Sequence, residues 1–403
     1  MNKSFRYHAF TCMCTIATLS VGLAACGDHS FLSQDDEPTI KEKQIKRLIP
    51  ARVHDRESWA TDISNIMEEL NIPKSKDNVC SIIAVVDQES NFTANPQVAG
   101  LGHKAQEEVN TRLNEKFTEK LGKTIGTPIA NYFEKVLRTQ PSPENSYYKQ
   151  MANVKTEQDL DILYREIFDY MAKHYHVSAL TGAAKLVGQD ISERMNPITT
   201  LGSMQVLVKY ARDNQKDHKN INQLRDELYT QYGGLYYGIH RLMEYSANYS
   251  KPIYRFADYN SGMYSSRNAS FQKALNTLTD ADLSLDGDLL LYDKNEDIQA
   301  TKSQSELALF KLFTSKNIVL TPRQIRNDLK EEKQLDFEET QTYLTVAKLY
   351  KQQTGKEMPY AIMPQVVISG PKLSRDYNTN WYASRVNGRY ENCMQRAKSL
   401  KSS

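Results

Sequence analysis

Three short segments carry the side chains best suited to chemistry. The first is Glu89-Ser90, with Phe92 close behind; the second is Gly202-Ser203-Met204-Gln205, after Asn196-Pro197; the third is Asp258-Tyr259-Asn260-Ser261-Gly262. Glu89 closes a run in which Val79, Ile82, Ile83 and Val86 recur at spacings of three and four, the pattern of one helix face. A carboxyl group on such a stripe faces a cleft floor more than open water, and partial desolvation favours its protonated form. An acid that still holds its proton near neutral pH can protonate a poor leaving group such as a glycosidic oxygen. Gly202 has no Cβ, so the backbone there can approach a ligand or the Glu89 helix closely. Gln205 offers an amide that can both donate to and accept from a polar ligand. Asp87 lies two residues before Glu89 and points to another face of the helix, which makes it a poor second carboxylate.

The elements that position these residues read as helices nearly throughout. Trp59, Ile63, Ile66, Met67 and Leu70 form one stripe, stopped by Pro73, and Asp77 is placed to cap the helix that ends at Glu89. Further helices are predicted over 104–122, 126–138, from Thr156 through Met171, and over 203–215, 220–248, 304–314, 322–332 and 336–353. Only 366–370 and 288–293 look extended. The fold class is mainly α, with at most a short hairpin.

Together the three motif segments resemble those of the soluble lytic transglycosylases, within the goose-type lysozyme superfamily: a Glu-Ser at a helix end, a Gly-Leu-Met-Gln and an Ala-Tyr-Asn-Ala-Gly. The chain also resembles an uncharacterised family of bacterial lipoproteins that keeps all three. The first resemblance implies a lysozyme-like core over 55–278 with a helical insertion at 100–190, because Glu89 and Gly202 stand much further apart than that family requires. A mostly helical C-terminal extension, 279–403, would pack on this core. The resemblance also implies the activity: cleavage of the bond between N-acetylmuramic acid and N-acetylglucosamine in peptidoglycan. Glu89 would protonate the bond and then take a proton from the muramoyl 6-hydroxyl as a 1,6-anhydro ring closes. Ser90, Gly202, Met204, Gln205, Tyr259 and Asn260 would bind the glycan, and neither metal nor organic cofactor would be needed. Asp258 stands where the family usually has alanine, and as a possible second carboxylate it would open a hydrolytic, muramidase outcome. Serine at 203 in place of leucine is a further departure. A non-catalytic wall-binding or scaffold lipoprotein is the rival reading.

The ends of the chain point to the same compartment. Lys3 and Arg6 precede an uncharged stretch from Ala9 to Ala25, which reads as a secretory signal too short and weakly apolar for a membrane span. Leu23-Ala24-Ala25-Cys26 resembles the bacterial lipobox, so residues 1–25 would be removed and Cys26 lipidated. Gly27 after it favours the outer membrane, facing the periplasm. Residues 26–54 are polar and read as a tether. The chain has 51 basic and 49 acidic residues, and loss of Lys3 and Arg6 makes the balance even, which argues against nucleic acid as a partner. Cys80 and Cys393 are then the remaining thiols, and in an oxidising periplasm they are expected to pair, unless they are separately buried. Pairing would staple the tail TNWYASRVNGRYENC, 379–393, to the Glu89 helix, where it lines the cleft or covers it. His174-Tyr175-His176 lacks a suitably spaced third metal ligand and reads as a solvated helix end.

Overall fold

A computed structural model describes residues 39–174, 196–292, 297–368 and 376–400. The expected signal peptide, Cys26 and His176 lie outside them. Helices dominate, as the periodicity predicts, and among the described residues none is long and apolar enough to cross a membrane.

The chain starts with α1 (Glu42–Leu48) and α2 (Arg56–Glu69). Residues 40–54 are therefore not a tether. Ile45, Leu48 and Ile49, at helical spacing, are buried in the main core with Ile40, and the Arg396 side chain donates to the Leu48 carbonyl at 2.7 and 3.0 Å. Their short stripe is hidden in the sequence by five flanking lysines and arginines. Next comes α3 (Lys76–Glu89), capped not by Asp77 but by Ser75 Oγ, which accepts from the Asn78 amide at 3.1 Å; Asp77 lies within the first turn and accepts from the Tyr390 hydroxyl. From Val79 to Asp87 every side chain of α3 is buried, so the helix is enclosed on all sides rather than amphipathic. After Ser90 the chain reverses through Asn91 and Phe92, both in the left-handed region at φ 52° and 58°. Phe92 holds the reversal by packing edge-on against Trp59, ring centres 5.3 Å apart.

Helices α4 (Leu101–Leu121), α5 (Lys123–Thr139), α6 (Tyr147–Met151) and α7 (Glu157–His174) follow, and their apolar residues form a core of their own around Phe117, Phe133 and Phe168. The predicted insertion is thus a separate packing unit on the described part of its range. Two further segments differ from the predicted helices. Over 203–215 the chain first makes a hairpin, β1 (Thr200–Leu201) antiparallel to β2 (Val206–Leu207), before α8 (Val208–Asp213). Gly202 and Gln205, at φ 77° and 50°, are left-handed and cannot continue a helix. The predicted 220–248 helix is two, α9 (Ile221–Leu228) and α10 (Gln231–Met243), with Thr230 capping the second.

Two helices, α11 (Pro252–Ser261) and α12 (Ser265–Leu278), lead into the C-terminal part. There α13 (Gln304–Ser315), α14 (Pro322–Leu329) and α15 (Gln341–Thr354) pack with α12 in a third core around Phe271, Phe313 and Phe337. Strands β3 (Val367–Ile368) and β4 (Tyr377–Asn378) pair before the last helix, α16 (Thr379–Lys398). That helix leaves the third core and returns to the first, where Tyr382, Ala383, Val386 and Cys393 are buried. The region 279–403 is accordingly not a single extension: its last helix completes the main core.

Within the third core Glu332 is fully buried, and burial pushes its carboxyl up to about 8, against the opposing pull of the Tyr292 hydroxyl and the Leu289 amide. Between its ordinary value of 4.5 and that raised one, the unfolded chain releases a proton that the folded protein keeps. Stability from this group is therefore complete below the lower value and lost as pH rises through the upper one. Thermal melts from pH 5 to 9 should show a falling midpoint, and Glu332→Gln should flatten that fall.

Candidate functional site

Glu89 is the last residue of α3, half-buried, and its Oε1 accepts a hydrogen bond from the Tyr382 hydroxyl on α16. The partner helix is held along α3 by the Cys80–Cys393 disulfide, Cα atoms 5.5 Å apart, with both cysteines fully buried. Arg389, one turn before Cys393, places its Nε 3.3 Å from Asp87 Oδ2, and Arg52 pairs with the other oxygen of the same carboxylate. Asp87 is thus committed to ion pairs on a different face of α3 from Glu89, as its position two residues away requires. Tyr382, Arg389 and Cys393 follow one another at spacings of seven and four, which puts them on one face of α16. The tail lines the Glu89 site rather than merely covering the fold.

The second motif forms the hairpin turn between β1 and β2 and is pressed onto α10. A Cβ at Gly202 would stand 2.3 Å from the Leu228 carbonyl oxygen, so this glycine is required for close approach to the α9–α10 junction and not to the Glu89 helix. Gly238 of α10 makes room for Met204, whose Cβ and Sδ would lie 2.4 Å from a side chain there. Met204 is completely buried and acts as a packing residue instead of touching a ligand with its side chain. Its carbonyl accepts the Tyr259 hydroxyl at 2.7 Å, which joins the second motif to the third. Gln205 Oε1 accepts from Thr200 Oγ1 at 3.1 Å, while its Nε2 donates to the Gly202 carbonyl at 3.3 Å and to Glu157 Oε2 at 3.2 Å.

In the third motif Tyr259 is buried on α11, and the guanidinium of Arg241 lies over its ring, 4.9 Å from the centre. Burial raises the proton affinity of its hydroxyl; Arg241 opposes the shift and the Glu89 carboxylate adds to it. Burial raises the Tyr382 hydroxyl as well, with Glu89 adding both charge and its hydrogen bond. Both phenols therefore remain donors across the neutral range. Asn260 is half-buried within α11, and Gly262, at φ 119°, ends the helix by donating to the Asp258 carbonyl at 2.8 Å. Ser90 caps α3, and its Oγ donates back to the Val86 carbonyl at 3.2 Å.

Asp258 is not the second carboxylate of this site. It is fully buried, and its oxygens accept from the hydroxyls of Tyr245, Tyr249 and Ser265 and from the amides of Tyr264 and Ser266. Two of those donors begin α12, so Asp258 fastens α11 to α12. Desolvation raises its carboxyl above the usual range, and the bonds from Tyr249, Ser266 and Ser265 oppose the rise.

Sequence reasoning missed Glu157, the first residue of α7, which is buried beside Gln205. Four residues on, Asp161 anchors the insertion: its Oδ1 accepts from Arg225 Nε at 2.8 Å and from Asn196 Nδ2 at 2.6 Å, while Arg225 also reaches the Ile198 carbonyl at 2.6 Å. Tyr382 was legible as part of an aromatic tail joined to α3 through Cys393, but Arg241 and Glu157 had no local signal. A cavity of about 720 Å³ lies in the C-terminal part of the fold, lined by Asp280, Asp282, Tyr292 and Lys311 among others, and none of the motif residues borders it.

Because Asp258 is a structural carboxylate, Asp258→Ala should lower stability by about 3 kcal/mol or more in denaturant unfolding, as expected when several bonds to a buried charge are removed together. A catalytic Asp258 would instead show an activity loss at unchanged stability.

No solved structure matches the chain. It is 32% identical over 377 residues to "Uncharacterized protein YaiW" of Escherichia coli (strain K12), an alignment covering 93% of this chain and 95% of that protein. Residues 52–396 match the family described as "Protein of unknown function (DUF1615)", a span that runs from before Glu89 to beyond Cys393 and so takes in every element of the site. The chain belongs to the DUF1615 family.

Proposed function

We propose that the protein is a peptidoglycan lytic transglycosylase with a lysozyme-like centre at Glu89. One observation carries the reading: the hydroxyl of Tyr382 bonds the carboxylate at the end of α3, and the Met204 carbonyl of the second motif accepts the hydroxyl of Tyr259, itself within the field of Glu89. The second motif is thereby linked to the third by a hydrogen bond, and the third to Glu89 by its charge.

In the proposed reaction Glu89 gives its proton to the oxygen between C1 of N-acetylmuramic acid and the next N-acetylglucosamine, and that bond breaks. The muramoyl C6 oxygen then bonds to C1, and its proton passes to Glu89, so the acid is restored and no water is consumed. Tyr382 holds the carboxyl group in place through both steps. Asp87 is occupied by two arginines and Asp258 by three hydroxyls and two amides, which favours chemistry with one carboxylate over a two-carboxylate hydrolysis. Delivery to the wall is proposed to rest on lipidation at Cys26 and an outer-membrane position facing the periplasm.

Residues 27–403 incubated with purified peptidoglycan should release 1,6-anhydro-muramoyl products, read by mass spectrometry. Glu89→Gln should reduce release by at least about a hundredfold, the scale of a lost general acid. Reducing-end products would mark a hydrolase and move Glu157 forward; wall binding without products would favour the scaffold reading. Tyr382→Phe should lower the rate about tenfold with little change in wall binding, since it removes one bond to the charged carboxylate.

A further inference from the structure

The site contains a cation that the roles above leave unused. Arg241 lies in the last turn of α10, half-buried, with its guanidinium stacked on the Tyr259 ring. Among the described residues it makes neither an ion pair nor a hydrogen bond. Its neighbours differ: Arg255 donates to the carbonyls of Leu242 and Tyr245 at 2.9 and 3.1 Å, and Arg225 and Arg389 face Asp161 and Asp87. A guanidinium has five donors in a planar fork that matches a carboxylate, and stacking on an aromatic ring leaves the edge of that fork open. Tyr259 and Tyr382 both sense its charge, in opposition to that of Glu89. The preceding residue, His240, adds no competing cation: burial lowers its basicity, and its Nδ1 pairs with the Tyr210 hydroxyl at 2.6 Å.

We propose that Arg241 recognises a carboxylate of the glycan strand beside Glu89, so that the site selects anionic over neutral strands; the inference rests on the glycan-cleaving reading. Peptidoglycan offers this group in two places. One is the lactyl carboxylate of the muramoyl residue, free only where the stem peptide has been removed by hydrolysis of its amide. The other is a carboxylate within an intact stem peptide. In the first case the class of reaction that supplies this substrate is amide hydrolysis between sugar and peptide.

The test uses binding to separate this proposal from the reaction itself. Glu89→Gln protein, with and without Arg241→Gln, is titrated against three preparations: intact peptidoglycan, strands stripped of peptides, and stripped strands whose carboxylates have been converted to amides. Arg241→Gln should weaken binding about tenfold on a carboxylate-bearing preparation and leave the amidated strands unaffected, the scale of one charge-assisted pair. A loss on stripped strands assigns the lactyl group, and a loss confined to intact wall assigns the stem peptide. Arg241→Lys should recover part of the loss, and unchanged thermal midpoints establish that both variants are folded. Equal binding with and without Arg241 overturns the proposal while leaving glycan recognition standing. Failure of the Arg241-bearing protein to bind any of the three overturns both.

Discussion

The contact between α16 and α3 is the constraint on which the rest of the site depends. Glu89 and Tyr382 are separated by 293 residues, and they meet because the Cys80–Cys393 disulfide and the Arg389–Asp87 pair hold one helix along the other. Closing a loop of 313 residues restricts the unfolded chain by an amount worth about 6 kcal/mol in the chain-entropy view. Tyr382, Ala383, Val386 and Cys393 of α16 are buried in the same core as α3. One helix therefore both completes the hydrophobic core and delivers the phenol that orients the carboxylate.

A second constraint acts from the insertion. Helices α4–α7 share an aromatic core of their own, yet Asp161 is buried against Arg225 and Asn196 of the main body. Removing one partner of such a buried pair costs far more than the pair itself contributes, so the junction is held in one arrangement. Glu157, one turn earlier, is thereby fixed against Gln205, and the insertion becomes part of the site wall.

Much of this was legible in the sequence where local rules are strong. The stripe of α2, the helices predicted over 304–314 and 322–332 and the placing of Glu89 at the end of a buried helix follow from periodicity and helix-end signals. Of the two outcomes left open for Cys80 and Cys393, pairing or separate burial, the structure has the disulfide. The hairpin at 200–207 was not legible, because its left-handed turn is stabilised by glycines on α10, some thirty residues away. Asp258 was misread because its five donors come from two stretches on either side of it, 245–249 and 264–266, which the turns of the chain fold back onto its carboxylate. Arg241 is conspicuous because, among the described residues, only the Tyr259 ring faces it, which no spacing rule can reveal.

A crystal structure of the Glu89→Gln protein with a bound glycan tetrasaccharide of alternating N-acetylmuramic acid and N-acetylglucosamine addresses the central claim most directly. The account predicts a glycosidic oxygen within hydrogen-bond distance of residue 89, with an acetamido group close to Tyr259. A glycan seated instead in the cavity lined by Asp280 and Lys311, or against a face remote from α3, would contradict it.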